Sequence, residues 1–216
     1  PNRKMFASNL INGVDHMSHT HNINEAGFSR GQPKWGGHLA EELDGLLVSD
    51  DQEGSIAAVI VEPVAGATGI LPPPLGYLER LREICTKHGI LLIFDEVITG
   101  FGRVGASFAA ERFGVTPDII TCAKGLTNGV IPMGAVLVKD EIYDTFMSGP
   151  EHMPELFHGY TYSGHPVAAA AGIAALEVYE EEGSFQQSRE LEEMFADEAH
   201  QFDDHPRVID VRNFGL

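Results

Sequence analysis

Apolar positions in this chain cluster in short unbroken runs separated by amphipathic stretches. The runs are "SIAAVIVEP", which ends at Pro63, then "ILLIFDEV", "PDIITCAK" and "GAVLVKD". A strand with one wet face alternates apolar and polar residues, whereas a strand covered on both faces reads apolar throughout, so all four runs predict strands buried on both faces. "HLAEELDGLLVS" carries apolar residues at helical spacing, and "LGYLERLREICTKHG" reads as an amphipathic helix with a glycine stop. "VAGATGILPPP" is a loop by its Gly and Pro content, and "EIYDTFMS" a short helix. "HPVAAAAGIAALEVYEEEG" predicts a long helix with Pro166 tolerated in its first turn. A further helix is expected over about 184 to 203, followed by a last strand in "RVIDVR", while residues 1 to about 37 read as loop. Neither an internal repeat nor a low-complexity segment is present.

Apolar strands separated by helices predict an α/β fold, a mostly parallel sheet flanked by helices on both faces. In such sheets ligands bind just outside the carboxyl ends of the strands. That rule sorts the polar residues. Glu62 follows the first run, Asp95 and Glu96 end the second, and Lys124 follows the third, so these groups are expected to converge on one edge.

Composition narrows the partners. The net charge of −18 over 216 residues leaves no basic cluster for phosphate backbones, which argues against nucleic acid. The charge suits solubility, salty surroundings included, and says nothing of fold. Much of the acid lies in "LEVYEEEGSFQQSRELEEMFADEAHQFDDH", which reads as the solvated face of helices. Cys85 and Cys122 sit in apolar or small-residue surroundings and read as buried free thiols of a reduced, cytoplasmic compartment. No apolar run reaches the roughly 18 residues of a membrane span.

Against this background Lys124, in "TCAKGLTNGV", is a lone cation in a small-residue, glycine-flanked stretch. It could reach solvent from a turn, or form a buried ion pair with a neighbouring strand-end carboxylate. It could also be an amine held in a dry pocket, where desolvation makes it a nucleophile toward carbonyls. Buried ion pairs are seldom a net gain in stability, so function often explains one that is kept. Pyridoxal 5'-phosphate uses both groups: a lysine to form its Schiff base, and a carboxylate to keep the pyridine nitrogen protonated so that the ring is an electron sink. Lys124 fits the first role and Asp95 the second.

Three long motifs, in order, carry a specific resemblance: "VEPVAGATGILPPPLGYLERLREICTKHGILLIFDEVITGFGRVG", "PDIITCAKGLTNGVIPMGAV" and "HGYTYSGHPVAAAAGIAALE". They resemble the class III aminotransferases of the fold type I pyridoxal phosphate enzymes, most of all the omega-amino acid:pyruvate (beta-alanine:pyruvate) branch. The resemblance covers nearly the whole chain and implies the central, large-domain portion of that family's longer polypeptide. Residues 1–180 would be part of the cofactor-binding domain, and 181–216 the linking helix and start of a smaller C-terminal domain. By this resemblance Lys124 carries the cofactor and shuttles the proton, Asp95 pairs with the pyridine nitrogen, and Val97 packs on a ring face. Thr161, in "YTYSGHP", donates to the phosphate from the partner subunit of a homodimer or dimer of dimers. Glu62 and Arg103 fit structural roles as well as chemical ones. The implied reaction moves nitrogen from a small-molecule amino donor to pyruvate or a similar oxo acid.

Two departures point within the family. Ornithine- and GABA-type members carry a glutamate five residues after the position of Glu62, and a glutamine three residues after that of Asp95; here these are Ala67 and Ile98. Both favour the omega-amino acid and amine:pyruvate branch. The same fold also admits an aminomutase of the glutamate-1-semialdehyde type, or a non-catalytic partner-binding subunit, against which the Lys124–Asp95 pair counts. "DHMSHTH" has spacing a metal could use, but similar loops occur in this branch without metal, and no metal is expected. "GFGRVG" has dinucleotide-loop spacing without the expected helix entry. Pro1 in place of methionine and the stop at "VRNFGL" read as cut ends, with the phosphate loop expected before Pro1 and the substrate-carboxylate arginine after Leu216.

Overall fold

The structure is a computed structural model that describes residues 2–48 and 56–216; Ser49 and Ser55, which the sequence patterns include, lie outside the described residues. A 3-10 turn (Asn2–Asn9), α1 (Ile23–Ala26) and a second 3-10 turn (Gly37–Ala40) lead into α2 (Glu41–Val48). The four apolar runs become β1 (Ala58–Val61), β2 (Leu91–Asp95), β3 (Ile119–Cys122) and β4 (Ala135–Val138). Helix α3 (Tyr77–His88) joins β1 to β2, and α4 (Ala109–Phe113) joins β2 to β3. After β4 come α5 (Asp140–Met147), α6 (Pro166–Glu181) and α7 (Ser184–His200). The sheet order is β1-β2-β3-β4; the first three strands are parallel and β4 runs antiparallel to β3. This is the expected α/β architecture, a mostly parallel sheet flanked by helices.

Helix α3 shows why the sequence folds this way. Leu78, Leu81, Ile84 and Cys85 lie on one helical stripe, and all are buried in one cluster with Leu92 and Phe94 of β2. Leu43 and Leu47, one turn apart on α2, join the same core. The helix stops at Gly89 (φ +66°), whose N–H bonds back to the Cys85 and Thr86 carbonyls. A Cβ would oppose that left-handed conformation, and glycine has none. Pro166 occupies the first turn of α6.

Burial differs from the expectation at the sheet margins. Leu92 and Phe94 are fully enclosed, but β1 alternates between exposed and half-buried residues, and Ile60 is 63% exposed. Val136, Leu137 and Val138 of β4 are also exposed. An all-apolar strand needs cover on two faces; among the described residues β1 has partial cover on one face, and β4 is exposed on both. The predicted strand in "RVIDVR" does not form either. Only Asn213 makes an isolated bridge, to Arg30. The segment is tied down by side chains instead: Asp210 accepts the Phe28 N–H at 2.6 Å, and Arg212 pairs with Asp210 while donating to the Gly69 and Ile70 carbonyls. Without a neighbouring ladder, a β-prone run stays extended but unpaired. Among the described residues no helix is long and apolar enough to cross a membrane.

At the amino-terminal edge of the sheet Asp118 fixes four elements at once. Its carboxylate accepts from Arg82 of α3 and from Lys139 after β4, both at 2.6 Å, and from the Leu92 N–H of β2 at 2.7 Å. Burial pushes the Asp118 pKa up, but the Leu92 N–H, Lys139 and Arg82 outweigh it and hold the carboxyl below its ordinary 3.8. A carboxylate with a depressed folded pKa stabilises fully above its unfolded value and loses that contribution as pH falls through the folded one. Asp118→Asn should therefore cost about 1–3 kcal/mol at neutral pH, and the deficit should shrink as pH falls below 3.8. Denaturant titrations of both proteins at several pH values check this; an equal deficit at every pH would contradict it.

Candidate active site

Parallel pairing of β1, β2 and β3 brings their carboxyl ends to one edge, and Glu62, Asp95 and the Lys124 turn all follow strands on that edge. The expected convergence is present. What each group does there varies.

Asp95 ends β2 half-buried, and one carboxylate oxygen accepts the Val97 N–H at 3.1 Å. That short turn aims the side chain and leaves the other oxygen without a partner among the described residues. Val97 is half-buried beside it. Lys124 opens a 3-10 turn (Lys124–Thr127) two residues past β3, with φ at +40°, a conformation L-residues seldom adopt outside functional sites. Its side chain is exposed, so the dry pocket considered for it is not formed by the described residues. Nor is the alternative of a buried ion pair: Lys124 and Asp95 make no salt bridge, and among the described residues the Lys124 amine has no partner.

Local packing explains how the turn holds its conformation. The Gly129 N–H bonds to the Lys124 carbonyl at 3.1 Å and the Asn128 N–H to the Gly125 carbonyl at 3.2 Å. Thr127, 2% exposed, donates to the Ile131 carbonyl at 2.7 Å. A Cβ at Gly125 would lie 2.7 Å from the Phe101 Cβ, so only glycine lets the loop after β2 approach this closely. Phe101 itself has a left-handed backbone (φ +60°) and packs edge-on against Phe108, with ring centroids 5.3 Å apart.

Glu96, beside Asp95, faces the other way. It is completely buried and accepts from the Thr99 hydroxyl at 2.8 Å and from the Ala109 and Ala110 N–H groups at 2.6 and 2.9 Å. It thus satisfies the open amides that begin α4. Burial pushes its pKa up, against the pull of those three donors. This arrangement also removes the dinucleotide reading of "GFGRVG". The Phe101 and Gly102 N–H groups fold back onto the Ser107 and Ala106 carbonyls, and the helix start that follows already holds a carboxylate.

The remaining residues divide similarly. Glu62 accepts the Gly66 N–H at 2.9 Å, closing its own loop, and a Cβ at Gly66 would meet Ile98 at 2.6 Å, so this loop seats on Ile98. Arg103 donates to the Leu216 carbonyl at 3.3 Å and its own carbonyl accepts the Leu216 N–H, a structural tether for the end of the described chain. Ala67 is exposed. Thr161 lies in a stretch, 151–167, that is exposed throughout, and among the described residues no hydrogen bond joins it to Asp95 or Lys124. Cys85 and Cys122 are buried free thiols, their pKa values pushed up by burial, that of Cys85 to about 11. Among the described residues no group of three or more His, Cys, Asp or Glu could hold a metal ion.

An open amine and an open carboxylate oxygen at neighbouring strand ends fit pyridoxal phosphate, whose aldehyde and pyridine nitrogen need one of each. If the Lys124 turn depends on the close Gly125–Phe101 approach, Gly125→Ala should destabilise the protein by about 1–3 kcal/mol through overpacking and weaken the covalent cofactor attachment expected at Lys124. A melt and borohydride trapping followed by peptide mass analysis measure the two effects; wild-type values in both would refute the dependence.

Comparison with known proteins bears on the same residues. The family model for class III aminotransferases matches residues 11–216. An omega-aminotransferase from Caulobacter vibrioides is 57% identical over 216 residues, which is 100% of this chain and 49% of that protein. A beta-alanine–pyruvate aminotransferase from Pseudomonas aeruginosa is 54% identical over 218 residues, 100% of this chain and 48% of that protein. A gamma-aminobutyrate transaminase from Solanum lycopersicum is 40% identical over 82% of this chain and 34% of its own. Among solved structures, a transaminase with L-alanine superposes over 100% of this chain and 51% of its own, with a TM-score of 0.90 and 33% identity. An (S)-enantioselective omega-transaminase from Thermomicrobium roseum gives 0.77 at 42% identity over 83% of this chain and 39% of its own. The chain spans about half the length of the curated relatives it matches. Class III aminotransferases are pyridoxal phosphate enzymes. With its fold, its strand-end chemistry and a family match over residues 11–216, the chain belongs to the class III aminotransferases.

Proposed function

We propose that this chain forms the cofactor-holding part of a transaminase that moves an amino group from an omega-amino acid or amine to pyruvate or a similar oxo acid. The observation that carries the reading is the Lys124–Asp95 arrangement: both at the carboxyl edge, not paired with each other, each with an open polar atom. Substrate class is supported by the names of the relatives that match the whole chain at more than 50% identity, beside the weaker and shorter match to a gamma-aminobutyrate transaminase. Ala67 and Ile98 support the same branch.

Pyridoxal phosphate, when bound, supplies the electron sink. Lys124 Nζ would hold it covalently and would serve as the base that takes the proton from the carbon bearing the donor's nitrogen. The open Asp95 oxygen would accept the pyridine N–H, a charge-assisted hydrogen bond that keeps the ring nitrogen protonated and so able to draw electrons. Val97 would bear on one ring face, and Thr161 would donate to the phosphate from a partner subunit of a homodimer or dimer of dimers; the exposure of residues 151–167 agrees with such an outward reach. The donor leaves as a carbonyl compound and pyruvate leaves as alanine, so nitrogen is conserved. Residues 1–180 belong on this reading to the cofactor domain and 181–216 begin the next, in a cytoplasmic protein consistent with its two free thiols.

Lys124→Ala should abolish both the visible absorbance of the attached cofactor and borohydride trapping. A variant that still traps cofactor covalently would move the attachment to another residue. Asp95→Asn should keep the fold and lower turnover by about 10²-fold or more, because a neutral amide cannot hold the ring nitrogen protonated. Near-normal turnover would remove Asp95 from the mechanism. Assays with beta-alanine, GABA, ornithine and 1-phenylethylamine against pyruvate test the substrate class, with ornithine expected to be the poorest donor.

A further inference from the structure

Helix α6 reaches the Lys124 turn through one polar contact. The Tyr179 hydroxyl donates to the Gly125 carbonyl at 2.7 Å, a hydrogen bond spanning 54 residues of sequence. The same carbonyl accepts the Asn128 N–H of the turn, so it has two donors, one local and one remote. Tyr179 is itself fixed by aromatic neighbours: its ring centroid is 6.5 Å from that of Phe101 and 5.6 Å from that of Phe185. Burial raises its pKa, so the hydroxyl remains a donor through the neutral range.

The peptide it grips follows directly on the residue with the strained backbone. Lys124 at φ +40° is held in a conformation that its Cβ disfavours, and relaxation to negative φ would turn the side chain in a different direction. The internal bonds of a single 3-10 turn are weak restraint against that rotation. Phe101 blocks movement of Gly125 on one side, and the Tyr179 hydroxyl anchors its carbonyl on the other.

We propose that Tyr179 is a positioning residue for the reaction: its hydroxyl, acting through the Gly125 carbonyl, keeps Lys124 in the strained conformation that aims its amine. This rests on the assignment of Lys124 as the cofactor lysine. Tyr179 acts through a backbone carbonyl, so its effect falls on the steps that Lys124 performs and not on donor affinity.

The test is Tyr179→Phe in the protein loaded with pyridoxal phosphate, with Tyr179→Leu as the control that also removes the ring packing. Wild type is first trapped with borohydride and digested to find the modified lysine. Tyr179→Phe should lower kcat about tenfold or more with KM for the amino donor little changed, shift the pH titration of the cofactor's visible band, and speed amide hydrogen exchange at 125–128. Its melting temperature should stay close to wild type, while Tyr179→Leu should lower it and lose at least as much kcat. Wild-type kcat and an unshifted titration in Tyr179→Phe would overturn the inference while leaving Lys124 in place. A lower melting temperature with unchanged kcat per folded molecule would also overturn it, reducing Tyr179 to a packing role. Trapping of wild type at a lysine other than Lys124 would overturn the underlying assignment, and this inference with it.

Discussion

Parallel pairing of β1, β2 and β3 is the constraint on which the rest depends. Parallel strands cannot be joined by a tight turn, so each must be followed by a crossover, and each carboxyl end must open on the same edge. The register fixes the result closely: Val61 pairs with Phe94, and Asp95 with Thr121, so the residues after each strand leave the sheet at nearly one level. Chemistry-bearing groups separated by about thirty residues at a time become neighbours through backbone hydrogen bonding alone. The opposite edge needs its own fixing, and Asp118 supplies it by tying α3, β2 and the end of β4 to the start of β3.

That common edge does not make every acidic group on it reactive. Asp95 and Glu96 are adjacent in sequence, and a strand turns adjacent side chains to opposite sides. Glu96 goes inward, is completely enclosed, and uses both oxygens on Thr99 and the first amides of α4. Asp95 goes outward with one oxygen committed to Val97 and one open. One carboxylate thereby builds the loop that carries Phe101, and Phe101 in turn supports Gly125 behind Lys124. The structural acid thus supports the Lys124 turn through Phe101, while the open acid stands at the same edge.

Much of this was legible in the sequence. Four apolar runs, the amphipathic stripe of α3 with its glycine stop, the proline start of α6, and the convergence of Glu62, Asp95 and Lys124 all follow from periodicity and the strand-end rule. What escaped depends on long-range partners. Asp118 falls inside the strand run "PDIITCAK", and nothing local announces Arg82, Leu92 and Lys139 around it. Tyr179 sits in an acidic helix whose composition suggests a solvated face, yet its hydroxyl finds a carbonyl 54 residues away. "RVIDVR" has strand character without a ladder to join, because propensity describes a residue's fit to a sheet and cannot supply the neighbour. Unbroken apolar character likewise specified two buried faces for β1 and β4, but burial is a property of what packs on a strand, and among the described residues β1 is partly covered on one face and β4 is exposed on both.

Position and desolvation therefore separate in this molecule. A lysine becomes a useful nucleophile when its amine is both aimed and dehydrated. Aim is built locally: the strand end, the left-handed backbone at Lys124, the Gly125–Phe101 contact and the Tyr179 hydrogen bond all lie within the described residues. Dehydration is not, since Lys124 is exposed and Ile60, on an open face of the same sheet, is 63% exposed. The two requirements also differ physically. Aim needs short-range, directional contacts that a single fold can fix before anything binds, whereas dryness needs area, which any apolar cover over the strand ends would provide. With Lys124 proposed as the cofactor lysine, its strained, outward-facing turn supplies the directional contacts, while the dry surroundings are not formed by the described residues.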